Sequence, residues 1–289
     1  MRKSSIYAVL FALVLVLVAC GDSEDTTEDS TTTDEVTDEV WEEIKEEGVI
    51  TVGTSGTLYP TSYYPEGSDE LTGFEVEVQR EIANRLGVDV EFEIMAYDAI
   101  LSAINSGRVD MTSMGLRGER KEQFAYTQPI KYSFATMIVR KDDHSGIEKL
   151  EDLEGKLAGG AATTVYSEIA EKFGAEVKTY GNATNDAYLR DVHNGRTDVV
   201  INDYYLQSLA IQAFPEFNIE IHPDLKFHTS TTSIVMPKEA EKLREEVDAI
   251  VAEMLEDGTL REISEEFFDG QDVTVEPEGD VIEIEGIAK

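Results

Sequence analysis

Two α/β lobes, each a mainly parallel sheet flanked by helices and joined by two extended crossings, are what this sequence predicts. Three observations predict them. Apolar strand-length segments alternate with amphipathic helix-length ones from about residue 41 to 269, a body large enough for two modest cores. The segments NSGRVDM (105–111) and HNGRTDV (193–199), about ninety residues apart, both set a helix-ending Gly and then Arg-x-Asp ahead of an apolar strand. Two long extended runs, IKYSFATMIVRK and FHTSTTSIVMP, stand where the chain would leave and re-enter a lobe, and a cleft between such lobes is the default ligand site.

In chain order, VITVGTS reads as an apolar strand and GFEVEVQREIANRLG as an amphipathic helix stopped by Gly87. VDVEFEIM alternates like a strand, YDAILSAINSG is a helix ended by Gly107, and RVDMTSM is again a strand. After the first extended run come KLAGGA, the helix TVYSEIAEKFG, the strand EVKTY, the helix NDAYLRDVHNG, the strand RTDVVIN and the helix DYYLQSLAIQAF. The second extended run precedes two helices, KEAEKLREEVDAIVAEMLEDGTLREISEEFF, that need a lobe to pack on.

The two ends lie outside this pattern. Arg2 and Lys3 precede an apolar run, residues 6–18, that is too short to span a bilayer comfortably, so residues 1–19 read as a secretory signal peptide. Cys20 is the sole cysteine, which excludes a disulfide within one chain, and LVAC resembles a bacterial lipobox. That resemblance implies cleavage before Cys20 and a lipid on it, with an ordinary signal peptide and an incidental thiol as the alternative. Residues 20–40 carry carboxylates and little to bury, so a disordered tether is expected. Residues 271–289 are similarly acidic, and their Val/Ile alternation fits either a weak edge strand or a loose tail.

A formal net charge of −36 and no stripe of Lys and Arg exclude nucleic acid as a partner. The four histidines, at 144, 193, 222 and 228, have no metal-ligand spacing, and no cofactor is expected. VGTSGT lacks the second spaced Gly of a nucleophile elbow, and no motif singles out a catalytic acid among carboxylates such as Glu119. Against this acidic background Arg117 and Arg120 stand together in a Gly-containing turn between apolar segments, either as solvated turn residues or as a site for an anion.

Eight segments in order, ITVGTSGTLYP, LTGFEVEVQREIANRLG, INSGRVDM, ERKEQFAYTQP, LEDLEGK, GAATTVY, NGRTDVVINDYY and LEDGTLREISEEFF, resemble the extracellular solute-binding proteins, family 3, that serve polar-amino-acid ABC transporters. GTLYPTSYY and NDYYLQ look most like the cystine-binding lipoproteins of Gram-positive bacteria. The resemblance implies a type II periplasmic-binding-protein-like fold with a discontinuous first lobe (41–132 plus 231–270), a second lobe (133–230) and a two-stranded hinge near Ser133 and Thr231. It also implies a monomer, lipid-anchored on the outer face of the membrane, that hands its ligand to permease subunits.

On that resemblance Arg120 forks onto the α-carboxylate of a free amino acid, a geometry Lys cannot supply. The loop before it is about two residues shorter than the family's, and Gly115 and Arg117 replace hydroxyl residues, leaving Ser113 as the nearest hydroxyl and Arg117 as a second candidate for the pocket. Thr163 and Thr164 begin a helix, where free N–H groups favour an anion, and Asp203 would pair with the ligand's α-ammonium. Tyr97 matches an aromatic position that covers the ligand, and Tyr59, Tyr63 and Tyr64 lie in the loop after the first strand. Ser55 stands where some relatives have an acid for a cationic side chain, which argues for a cystine-like or polar neutral ligand over Lys or Arg. Two rival functions share the fold: a dehydratase acting on a prephenate-like substrate, and an amino-acid sensor or surface adhesin.

Overall fold

The structure is a computed structural model and describes residues 39–115, 122–181, 183–277 and 279–287. Helix α1 (Glu39–Glu47) lays Trp41 and Ile44, one turn apart, into the first core. Strand β1 (Val49–Thr54) buries Ile50 and Val52 completely. A short antiparallel hairpin of β2 (Thr57–Leu58) and β3 (Ser62–Tyr63) leads to α2 (Phe74–Leu86). This helix buries Phe74, Val78 and Ile82 and stops at Gly87, whose φ of 76° lets the following N–H groups reach back to Asn84 and Ala83. β4 (Asp89–Ile94) pairs in parallel with β1, and after a 3-10 turn at Tyr97–Ala99 come α3 (Ile100–Asn105) and β5 (Thr112–Met114). β6 (Phe124–Tyr126) then precedes the long β7 (Lys131–Arg140).

The second series runs β8 (Leu157–Gly159), α4 (Val165–Lys172), β9 (Glu176–Lys178), α5 (Asn185–His193), β10 (Val200–Asp203), α6 (Tyr204–Ala213) and β11 (Ile219–Ile221). β8 and β9 pair in parallel, as β1 and β4 do. β12 (Phe227–Pro237) returns the chain to the first core, which α7 (Glu241–Glu256) and α8 (Thr259–Phe267) complete.

The Arg-x-Asp echo has one structural meaning used twice. Asp110 accepts the N–H of Thr51 on β1 at 2.7 Å, while its own N–H donates to the Thr51 carbonyl. Asp198 does the same to Leu157 on β8, at 2.9 Å. Gly107 and Gly195, both at φ 67°, make the preceding left-handed turn. In each series the carboxylate satisfies a strand N–H that would otherwise go unpaired beside the sheet.

The sheets are more antiparallel than the βα alternation suggests, and the two long strands are the reason. β7 and β12 pair antiparallel through Ser133↔Ser230 and Tyr132↔Thr231. Farther along, β7 takes β10 and β11 as neighbours, while the other end of β12 takes β5 and β6. Each long strand therefore serves both series. α6 also links them, since Tyr205 and Leu209 pack in the first core.

The chain's later residues are packed rather than loose. Val273 is fully buried in the first core, and its carbonyl accepts the Tyr132 N–H at 2.8 Å. Ile284 and Ile287 are buried in the second core, and Ile282 makes a single parallel bridge to Phe227. At the other end, α1 begins two residues inside the expected tether. Cys20 and the rest of that tether lie outside the described residues. Among the described residues no helix is long and apolar enough to cross a membrane.

Gly73 is the tightest backbone approach next to the cleft. Its φ is 127°, and an added Cβ would stand 2.5 Å from both the carbonyl carbon and oxygen of Thr61. Gly73→Ala is expected to lower the unfolding free energy by at least about 2 kcal/mol in urea titration. An unchanged midpoint would mean that the hairpin gives way at little cost.

Candidate functional site

The C-terminal ends of the strands converge on a cavity with a water-accessible volume of about 120 Å³. Ser55 and Thr57 follow β1, Gly115 follows β5, Gly160 and Ala161 follow β8, and Asp203 ends β10. Tyr97, Thr164, Tyr166, Tyr188 and His228 complete much of the wall. The lining thus comes from both series and from β12, where His228 sits at a bulge with φ 49°.

The cavity's electrostatics centre on an ion pair between Lys131 Nζ and Asp203 Oδ2, with the two residues only 4% and 5% exposed. The second oxygen of Asp203 caps α6 by accepting the Leu206 N–H at 3.0 Å. Glu75, in the first turn of α2, is half-buried in the same wall. Burial pushes its carboxyl up to about 7; Lys131 pulls it down and Asp203 raises it further. Among the described residues no side chain donates a hydrogen bond to that carboxylate. The Tyr166 hydroxyl is 3.3 Å from Ser230 Oγ, and burial raises this phenol well above its ordinary range. Burial, and after it the Asp98 carboxylate, push the Tyr188 phenol up to about 12.

A second carboxylate spans the two series. Asp98, beside Tyr97, accepts the backbone N–H of Thr163 at 2.9 Å and that of Ala162 at 3.2 Å. It occupies the anion-favouring start of α4.

The structure brings Asp203, Thr164, Tyr97, Ser55 and Gly115 together around the cavity. Of the other described candidates, Thr163, Ser113 and Tyr59, none is in the lining. Thr163 meets Asp98 through its N–H and is not in the lining, so in this conformation the anion at the helix start belongs to the protein. Thr164 lines the cavity and is also the helix cap, accepting the Ser167 N–H at 3.2 Å. Ser113 turns its hydroxyl to Gln79, which donates to it at 2.7 Å, beneath the lining. Tyr59, 39% exposed, packs edge-on against Tyr63 outside the cavity, and Tyr64 is exposed. Arg117 and Arg120 lie outside the described residues, as does Glu119.

Sequence reasoning missed Lys131, Glu75, Tyr166, Tyr188 and His228. Lys131 carried a usable signal, since it is a charge placed two residues into an otherwise uncharged run, Pro129 to Val139. Glu75 carried none, because an acid in the first turn of a helix is ordinary. Among the described residues no cluster of three or more His, Cys, Asp or Glu could hold a metal.

Removing one member of a buried pair strands the other, at a cost of roughly 3–5 kcal/mol. Lys131→Met should therefore destabilise the fold by that much at neutral pH in chemical denaturation. A loss under about 1 kcal/mol would mean that the pair contributes no net stability.

The family model of bacterial extracellular solute-binding proteins, family 3, matches residues 50–270. The probable ABC transporter extracellular-binding protein YckB of Bacillus subtilis is 49% identical over 98% of this chain and 97% of its own. The L-cystine-binding protein TcyA of Bacillus subtilis is 30% identical over 95% and 100%. The crystal structure of YckB superposes with a TM-score of 0.67 at 52% identity, over 85% of this chain and 99% of that one. These are binding proteins on the type II periplasmic-binding-protein fold, and the dehydratase alternative has no support among them. The chain belongs to the bacterial extracellular solute-binding proteins, family 3, a family of binding proteins rather than enzymes.

Proposed function

We propose that this protein captures a free polar amino acid, cystine-like or neutral, between its two lobes and delivers it to an ABC permease. The observation that carries the reading is the cavity, lined from both chain series, with a water-accessible volume of about 120 Å³. That is space for several waters, which a small polar amino acid would displace. The L-cystine-binding relative supports the cystine-like class.

In this reading Arg120 takes the α-carboxylate. The described residues before it end at Gly115, which lines the cavity. The amino group lies toward the Asp203 end, Tyr97 covers the side chain, and Ser55 leaves no acid for a cationic one. Arg117 remains the candidate for a second acidic group on the ligand. Closure is a population shift, because only the closed state touches the ligand from both sides. Asp98 adds to it by latching onto the start of α4. We further propose that Cys20 carries a lipid that holds the protein, as a monomer, at the outer face of the membrane, with Val273, Ile284 and Ile287 of the acidic C-terminal stretch belonging to the folded body.

Calorimetric titration with the twenty amino acids and cystine tests the reading. One polar amino acid should bind, and Arg120→Ala should weaken it about 30-fold to several-thousand-fold. Binding that survives moves the carboxylate to Arg117 or to the turn's backbone, whereas no binding by any amino acid rejects the class of ligand. Asp98→Ala should lower affinity roughly ten- to hundred-fold, through faster release seen in stopped flow. An unchanged release rate would remove the latch from the closing step.

A further inference from the structure

Asp203 stands where the amino-acid reading puts the ligand's ammonium, and in this structure it already holds one. That ammonium is the chain's own. Lys131 Nζ bonds Asp203 Oδ2, while Oδ1 caps α6 by accepting the Leu206 N–H. Both side chains are nearly fully buried and both line the cavity, where Lys131 is the one Lys or Arg among the described residues. Two ammonium groups crowded onto one carboxylate in such a wall repel strongly, because little water screens them.

The same lining contains a second acid. Glu75, in the first turn of α2, faces the cavity, and no side chain among the described residues donates to it. Burial pushes its carboxyl up to about 7, and the Lys131 ammonium pulls it down, so that charge is already felt there. Lys131 is also built to move. Its backbone is fixed in the ladder opposite Thr232, while its four-carbon stem lets the ammonium change partners without disturbing β7.

We infer that Lys131 is a placeholder for the ligand, occupying the ammonium subsite at Asp203 until an amino acid arrives and then swinging to Glu75, its seat in the bound state. This rests on the amino-acid reading above and adds to it an internal competitor that sets the affinity. The exchange conserves ion pairs. Asp203 trades Lys131 for the ligand, Lys131 trades Asp203 for Glu75, and no charge is stranded. Every ligand's ammonium is therefore measured against Lys131. A carboxylic acid that lacks the amino group leaves the pair in place and draws nothing from Asp203. The half-buried Glu75 is the part of the device that makes room, because without it a displaced Lys131 would have no acid in the lining to meet.

The test is calorimetry on the full chain at pH 8, where Glu75 is mostly ionised. Cystine and the twenty amino acids are titrated first. The best binder is then compared with its desamino counterpart, the same acid with hydrogen in place of the α-amino group. The ratio of the two affinities reads what the ammonium contributes and does not depend on the folded fraction of a variant. Lys131→Met, its fold checked by circular dichroism, leaves Asp203 without a competitor, so the preference for the amino acid should rise at least tenfold. Glu75→Gln removes the second seat, so the preference should fall at least tenfold. In the double variant the Glu75 change should matter little, and the ratio should stay within about twofold of Lys131→Met alone. An unchanged or lower preference in Lys131→Met, or a Glu75→Gln effect that keeps its size without Lys131, overturns the inference and leaves the amino-acid reading standing. If Lys131→Met does not fold, Glu75→Gln decides, and an unchanged preference there overturns the inference. Failure of every amino acid to bind the wild type overturns both readings.

Discussion

The buried pair of Lys131 and Asp203 is the constraint around which the cavity is organised. Lys131 starts the long strand that leaves the first core, and Asp203 ends a strand of the second series and caps the helix that packs back on the first core. Neither charge tolerates such burial alone, so the lobe-to-lobe geometry has to keep them together. The pair fixes the start of β7 against the start of α6. Those two elements carry the ladder and the Tyr205 contact that join the halves of the molecule.

The pair also shows why a surface charge of one sign says little about a pocket. The chain is strongly acidic, yet the described cavity holds one ammonium against two carboxyls, one of which is near neutral. Salt screens the outer charges within about 10 Å at 0.1 M, and far less between groups that share a dry wall. The outer carboxylates serve solubility, and the inner groups decide what enters.

Legibility followed the range of the interaction responsible. β1, α2 and the helix stop at Gly87 were readable because period and cap are local. The Arg-x-Asp echo was visible as a pattern, but that Asp110 and Asp198 serve strand N–H groups depends on partners 59 and 41 residues away. α1 was not read as a helix, although the body was expected to start at Trp41, since only Trp41 and Ile44 mark its buried face in an acidic stretch. The hairpin of β2 and β3 was too short to carry any period. In the site, Asp203, Thr164, Tyr97, Ser55 and Gly115 were legible mainly through the family resemblance, and the habit of strand ends and helix starts in such lobes to face the crevice gives Asp203 and Thr164 a physical reason. Lys131 stood out as a charge in an apolar run, but the partner that explains it lies 72 residues on. Tyr59 and Ser113 failed for a related reason: neighbours, Tyr63 and Gln79, claim their outward groups.

The anchoring of the last residues limits how the molecule works. The segment between Val273, in the first core and bonded to Tyr132 of β7, and Ile282, bridged to Phe227 of β12, is a third link between the two cores. Nine peptide units reach at most about 30 Å when fully stretched. The segment therefore acts as a leash: the halves can part only until it tightens, unless Ile284 and Ile287 first leave their seats. The amplitude of the swing, and with it how bulky a solute the open mouth admits, is written partly in the length of this acidic stretch.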